Sequence, residues 1–137
     1  MGHKPGEPIL GILHSADASS GVEIPIYKLG STTAHTLASD EYIEITSIEL
    51  VTAVGGDCYV VIGDDATRGA GEDVLRGTFA ANDGIQKDDV CHAGAVGQKA
   101  YVTAPAGVVD VRFNGVIRKG GDATTNKPGW RENDLGQ

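Results

Sequence analysis

Apolar side chains in this sequence recur at every second residue, and no window sustains an i, i+3, i+4 apolar stripe over the length of a helix. Period two belongs to the half-buried β-strand, whose successive side chains point to opposite faces. The pattern is cleanest in Val109-Asp110-Val111-Arg112-Phe113-Asn114, with Val109, Val111 and Phe113 predicted inward. Asn114-Gly115 is a strong hairpin signal, yet Gly115 and Ile117 keep the phase of Phe113, which favours one long strand over residues 108–118. In Tyr42-Ile43-Glu44-Ile45-Thr46 the apolar residues fall on odd numbers, and in Ile48-Glu49-Leu50-Val51-Thr52 on even ones. A phase change needs one extra residue, so a β-bulge is expected near Thr46-Ser47.

Glycine-rich turns separate the remaining short strands. Cys58-Tyr59-Val60-Val61-Ile62 follows the turn Gly55-Gly56-Asp57 and is predicted to form a hairpin with the strand before it. Val74-Leu75-Arg76-Gly77-Thr78-Phe79-Ala80 and Ala100-Tyr101-Val102-Thr103 read as two more strands. About seven such strands with turns between them predict one all-β domain, a β-sandwich or jelly-roll-like core, over residues 31–118. Residues 1–30 read as an irregular N-terminal arm. There Pro25, which has no amide donor, restricts Val22-Glu23-Ile24-Pro25-Ile26-Tyr27-Lys28-Leu29 to an edge strand or extended arm. Residues 119–137 turn polar and read as a C-terminal arm.

Charge narrows the function. The net charge is −8, and the 11 Lys and Arg are scattered. A nucleic-acid binder needs a basic patch to neutralise phosphates, so no direct nucleic-acid partner is expected, nor an anionic membrane. No run of 18 apolar residues is present, and no apolar stretch follows the polar start Met1-Gly2-His3-Lys4-Pro5-Gly6 to make a secretory signal. With two cysteines, Cys58 and Cys91, and no disulfide framework, the expectation is synthesis in a reducing cytoplasm with free thiols.

The motifs of catalysis are missing. The sequence has no Gly-x-Ser-x-Gly elbow, no Gly-x-Gly-x-x-Gly and no Walker loop. His3, His14, His35 and His92 show no metal-ligand spacing, and Cys91-His92 supplies two adjacent residues where a zinc site wants four ligands. Asp64-Asp65 and Asp88-Asp89 are acidic pairs in loops without the alternating ligand pattern of an EF-hand. The chain is therefore read as a non-enzyme with no cofactor and no metal.

The tail carries one large aromatic residue. Its 19 residues could extend roughly 60 Å, and Trp130, flanked by Gly129 and Arg131, is the residue type that anchors interfaces. It is expected to dock on a neighbouring surface.

Over residues 36–118 the sequence resembles the small auxiliary capsid proteins of tailed bacteriophages, known as decoration or cement proteins. The likeness rests on Tyr42-Ile43-Glu44-Ile45-Thr46-Ser47-Ile48-Glu49, the turn Gly55-Gly56-Asp57, Val74-Leu75-Arg76-Gly77-Thr78-Phe79 and Pro105-Ala106-Gly107-Val108-Val109-Asp110-Val111. It implies a structural virion protein made in the host cytoplasm. Such a protein binds the outer surface of the head, bridges major capsid protein subunits and forms homo-oligomers, trimers before dimers. On this reading the contact residues lie on the arms: Ile9, Leu10, Ile12, Leu13, Ile24, Ile26, Tyr27, Trp130 and Arg131. The alternative is a small lectin-like or receptor-binding β-sandwich that uses the loops 63–73 and 87–97, with Ca²⁺ at Asp64 and Asp65.

Overall fold

The computed structural model describes residues 6–68 and 71–120. Its strands are β1 (Glu7–Ser15), β2 (Val22–Glu23), β3 (Ile26–Lys28), β4 (Glu41–Thr52), β5 (Gly56–Gly63), β6 (Gly71–Phe79), β7 (Asp83–Lys87), β8 (His92–Ala93), β9 (Lys99–Thr103) and β10 (Val109–Lys119). They form two antiparallel sheets. One runs β3-β1-β10-β4-β7, with β8 also paired to β4, and the other runs β2-β9-β5-β6. The inward residues of both meet in one core that includes Ile9, Ile43, Ile45, Leu50, Val60, Ile62, Leu75, Val102, Val111 and Phe113. The protein is a β-sandwich, as the period of the sequence predicts. Each fully buried large apolar side chain contributes about 1.5–3 kcal/mol toward offsetting chain entropy.

Strands β4 and β10 form the spine of the larger sheet. Residues 109–119 run as one strand straight through Asn114-Gly115. Asn114 pairs with Ser47 and Gly115 with Ile45, so Thr46 has no counterpart and is the extra residue of a bulge. The Thr46 hydroxyl donates to the Asn114 carbonyl at 3.1 Å, and the Asn114 amide donates to Ser47 Oγ at 2.8 Å. A Cβ on residue 115 would collide with the Glu44 carbonyl oxygen. Glycine is thus required there by the close approach of the bulged strand, and no turn is made.

Two expectations need correction. β4 and β5 do not pair: β4 lies between β10 and β7, while β5 lies between β9 and β6. Between them the chain passes from one sheet to the other, because both strands present an apolar row that must face the same core from opposite sides. Nor do residues 7–30 behave as an arm. β1 pairs with β10 along its whole length, from Glu7 opposite Ile117 to Ser15 opposite Val109. The edge position inferred from Pro25 holds. β2 and β3 each close one sheet at its edge, and Pro25 stands where the chain passes between them.

Candidate functional site

The two outer faces of the sandwich differ. On the smaller sheet the loop after β5 lies against the strands. The Tyr101 hydroxyl donates to the Asp64 carbonyl at 3.3 Å, and the Arg68 guanidinium stacks 5.4 Å from the Tyr59 ring centre while pairing with Asp73 at 2.6 Å. Val61, whose register partners are Tyr101 and Asp73, is fully buried there. Asp65, the other acidic residue of this loop, accepts the Thr67 amide at 2.8 Å and so serves the turn itself.

The outer face of the larger sheet is open. Register places Tyr27, Leu10, Asn114 and Ser47 in one row, Ile12, Arg112, Glu49 and Gln86 in the next, and His14, Asp110 and Val51 in a third. Ile12 is 41% and Val51 46% exposed. His14 Nδ1 bonds the Asp110 carboxylate along the third row. A His–Asp pair is part of the apparatus that activates a nucleophile, but among the described residues no hydroxyl or thiol bonds the His14 ring. The pair is one of the exposed polar contacts of this face.

The sequence-predicted contact residues separate into three groups. Ile9, Ile24 and Ile26 are buried in the core, at 2%, 1% and 7% exposure, and their expected role as arm contacts is corrected. Each sits inward on a paired strand or at the crossing from β2 to β3. Leu13 also points inward and packs on the core, so it is not an arm contact either. Leu10, Ile12 and Tyr27 share the open outer face, on strands and not on an arm. Trp130 and Arg131 lie outside the described residues.

A groove of about 330 Å³ opens at the edge where β2 passes to β3. Its floor is Ile24, Ile26, Ile43 and Ala100, one wall is residues 34–37, and Glu23 and Lys99 stand on its rim as an ion pair at 3.6 Å. The wall is held by Glu41. This carboxylate accepts the Ala38 amide and His35 Nε2, both at 2.9 Å, while the Glu41 amide donates back to the Ala38 carbonyl at 3.0 Å. The His35 amide donates to the Ile26 carbonyl at 2.7 Å, which pins the wall to β3. The Ala38 hydrogen bond, more than His35, holds the Glu41 carboxyl below the usual carboxylate range. Sequence reasoning missed this groove. Its polar members are spread over 35–41 in a stretch with no period, and only the fold brings 23–26 and 99–100 beneath them.

On β4, Glu44 takes two further donors. Arg118 Nε donates to Oε1 and Cys91 Sγ to Oε2, each at 3.0 Å. The carboxylate beside it pushes the Cys91 thiol above its ordinary range, and burial adds to the effect. Cys91 is exposed and Cys58 buried, and both are free. Among the described residues no three His, Cys, Asp or Glu side chains gather as ligands for a metal ion, and no helix is long and apolar enough to cross a membrane.

No protein-family model, curated protein or solved structure matches this chain.

Proposed function

We propose that this chain is a structural protein that docks through the open face of its larger sheet onto a protein shell, and that the shell is a bacteriophage head. The observation that carries the reading is the contrast between the faces. The smaller sheet has its own loop laid over Tyr59 and Tyr101, while the larger presents the exposed Ile12 and Val51 and the half-buried Leu10 and Tyr27 between the charges of Arg112, Glu49 and Asp110. Apolar anchors set among polar groups are the composition of a docking surface. The likeness of the 36–118 strand pattern to decoration proteins supplies the partner, major capsid protein. In this role the protein cements neighbouring subunits from outside, and several copies, as a trimer, gain avidity by engaging several subunits at once.

Co-sedimentation with heads that lack the protein tests the reading. Ile12→Glu and Arg112→Glu, both on the face, are expected to weaken attachment at least about tenfold, the effect of losing one hot-spot contact. Val54→Glu, exposed in the connection after β4, is expected to bind as the parent does. Undiminished binding by both face variants would exclude this face as the contact. Absence of any co-sedimentation would remove the shell as the partner.

A further inference from the structure

We infer that β6, the outer strand of the smaller sheet, is where a second copy of this chain pairs, antiparallel and across a two-fold axis at Gly77. β6 has nine residues and bonds to β5 on one side. Among the described residues no backbone hydrogen bond reaches it on the other. The remaining edges are short or occupied. β2 and β8 have two residues, β3 three and β7 five, and the Ile26 and Lys28 carbonyls of β3 already accept the His35 and Ser31 amides. A long strand with an unpaired row of N–H and C=O groups is a template for another strand.

The residues of β6 select the register. Leu75 stands opposite Val60 and Asp73 opposite Val61, so Val74 is the extra residue of a bulge, which blocks pairing at that end. From Leu75 to Phe79 the strand is regular. An axis at Gly77 uses this whole stretch, with Leu75 opposite Phe79 and Arg76 opposite Thr78 of the second copy. Moved to residue 76, it would set two guanidinium groups face to face, which is destabilising. Moved to residue 78, it would leave Leu75 and Arg76 beyond the end of the other strand. Charge is self-complementary in the chosen register. The Thr78 hydroxyl donates to Asp57 at 2.7 Å, whereas Arg76 stands 3.8 Å from the same carboxylate and makes no hydrogen bond among the described residues. In the pair each Arg76 faces the Thr78–Asp57 corner of the other copy, where its guanidinium reaches the carboxylate. On the inner side the half-buried Phe79 ring lies against Gly77, so the two rings meet over the paired glycines. Such self-complementarity is what a two-fold contact requires. Residues 75–79 carry one cation and no anion, which lets copies of a chain of net charge −8 meet there without repulsion.

The pairing goes beyond the shell-docking role and leaves the open face of the larger sheet free. It is compatible with a trimer, which β6 would join to a second trimer. Size exclusion with light scattering on the full-length protein, across a range of concentrations, tests it. The expected mass is that of two copies, or of six where the trimer also forms. Arg76→Asp and Asp57→Arg, both at exposed positions, each set like charges across the axis. Each is expected to weaken pairing at least about tenfold and halve the mass, while circular dichroism stays that of the parent. Mixed in equal amounts, the two variants place opposite charges across the axis again, and the parent mass is expected to return. A parent of one or three copies at every concentration would overturn the inference, as would a mass indifferent to both substitutions. Failure of the mixture to recover would overturn the register and with it the assignment to β6. Loss of pairing and loss of shell contact are read separately, because Ile12 and Arg112 belong to the other sheet.

Discussion

The ring of Phe113 lies over Gly11, its register partner on the adjacent strand. Gly11 is an inward position of β1, between Ile9 and Leu13, and the space its missing side chain leaves is filled by the aromatic ring from β10. A Cβ at residue 11 would fall inside that ring. Gly11→Ala is therefore expected to destabilise the fold by about 1–3 kcal/mol through overpacking, and Phe113→Ala by about 3–5 kcal/mol through the cavity it leaves. The double variant should lose less than the two costs combined, because the new methyl group enters the vacated space. Urea denaturation of the four proteins measures the coupling, and strict additivity would mean the two residues do not share that space.

The bulge gives a second prediction. Gly115→Ala would drive a methyl group into the Glu44 carbonyl, so β10 must move away from β4 or the bulge must shift. A loss of about 1–3 kcal/mol is expected. Thr46→Val, which removes the hydroxyl donor to Asn114 but keeps the shape, is expected to cost about 0.5–1.5 kcal/mol. Thermal unfolding ranks the two, and a harmless Gly115→Ala would show that the close approach is absent in solution.

Glu41 sets part of the acid stability. Its carboxyl is held below the usual range chiefly by the Ala38 amide, with help from His35. A carboxyl lowered by folding contributes stability that is fully present above its unfolded value, about 4.3 for Glu, and is lost as pH falls through the folded value. Glu41→Gln should therefore lower stability at pH 7 and flatten the decline below about pH 4.3. Glu41→Ala leaves the exposed Ala38 amide to water and should cost about 0.5–1.5 kcal/mol. Denaturation midpoints between pH 2 and pH 7 would expose an error here as parallel curves for parent and Gln variant.

Thiol chemistry provides the fourth test. Cys58 is fully buried, and the Cys91 thiol donates to Glu44, whose carboxylate disfavours the thiolate. Native protein should react with iodoacetamide at Cys91 alone, and at both cysteines in denaturant. Glu44→Gln is expected to speed alkylation of Cys91 at pH 8 several-fold, since the thiolate is the nucleophile. Equal rates in parent and variant would separate the thiol from that carboxylate.

The parts of the fold legible in the sequence are those decided within one strand. Thr46 announced itself because an extra residue flips the phase of everything after it, and the persistence of phase from Phe113 through Ile117 overrode the Asn114-Gly115 turn signal. What escaped was decided between strands. β1 reads in the sequence as part of an irregular arm because its central inward position is Gly11, and the Phe113 ring that completes the apolar row stands 102 residues further along the chain. The partition of β4 and β5 into different sheets escaped for a related reason, as alternation gives the face of a strand but not its neighbour. Leu10, Ile12 and Tyr27 read as contact residues together with Ile9 and Ile26, and they are the outward residues of strands on which those two point inward.

Glu7 stands opposite Ile117, so the described chain enters and leaves at the same end of the larger sheet. Antiparallel hydrogen bonds run perpendicular to the strands. Tension applied between Gly6 and Gly120 would thus act along those bonds and open them one pair at a time, as a zipper opens. A load spread over the face formed by β3, β1, β10 and β4 meets every rung at once. The molecule is mechanically weak when drawn apart by its ends and strong when loaded across its sheet.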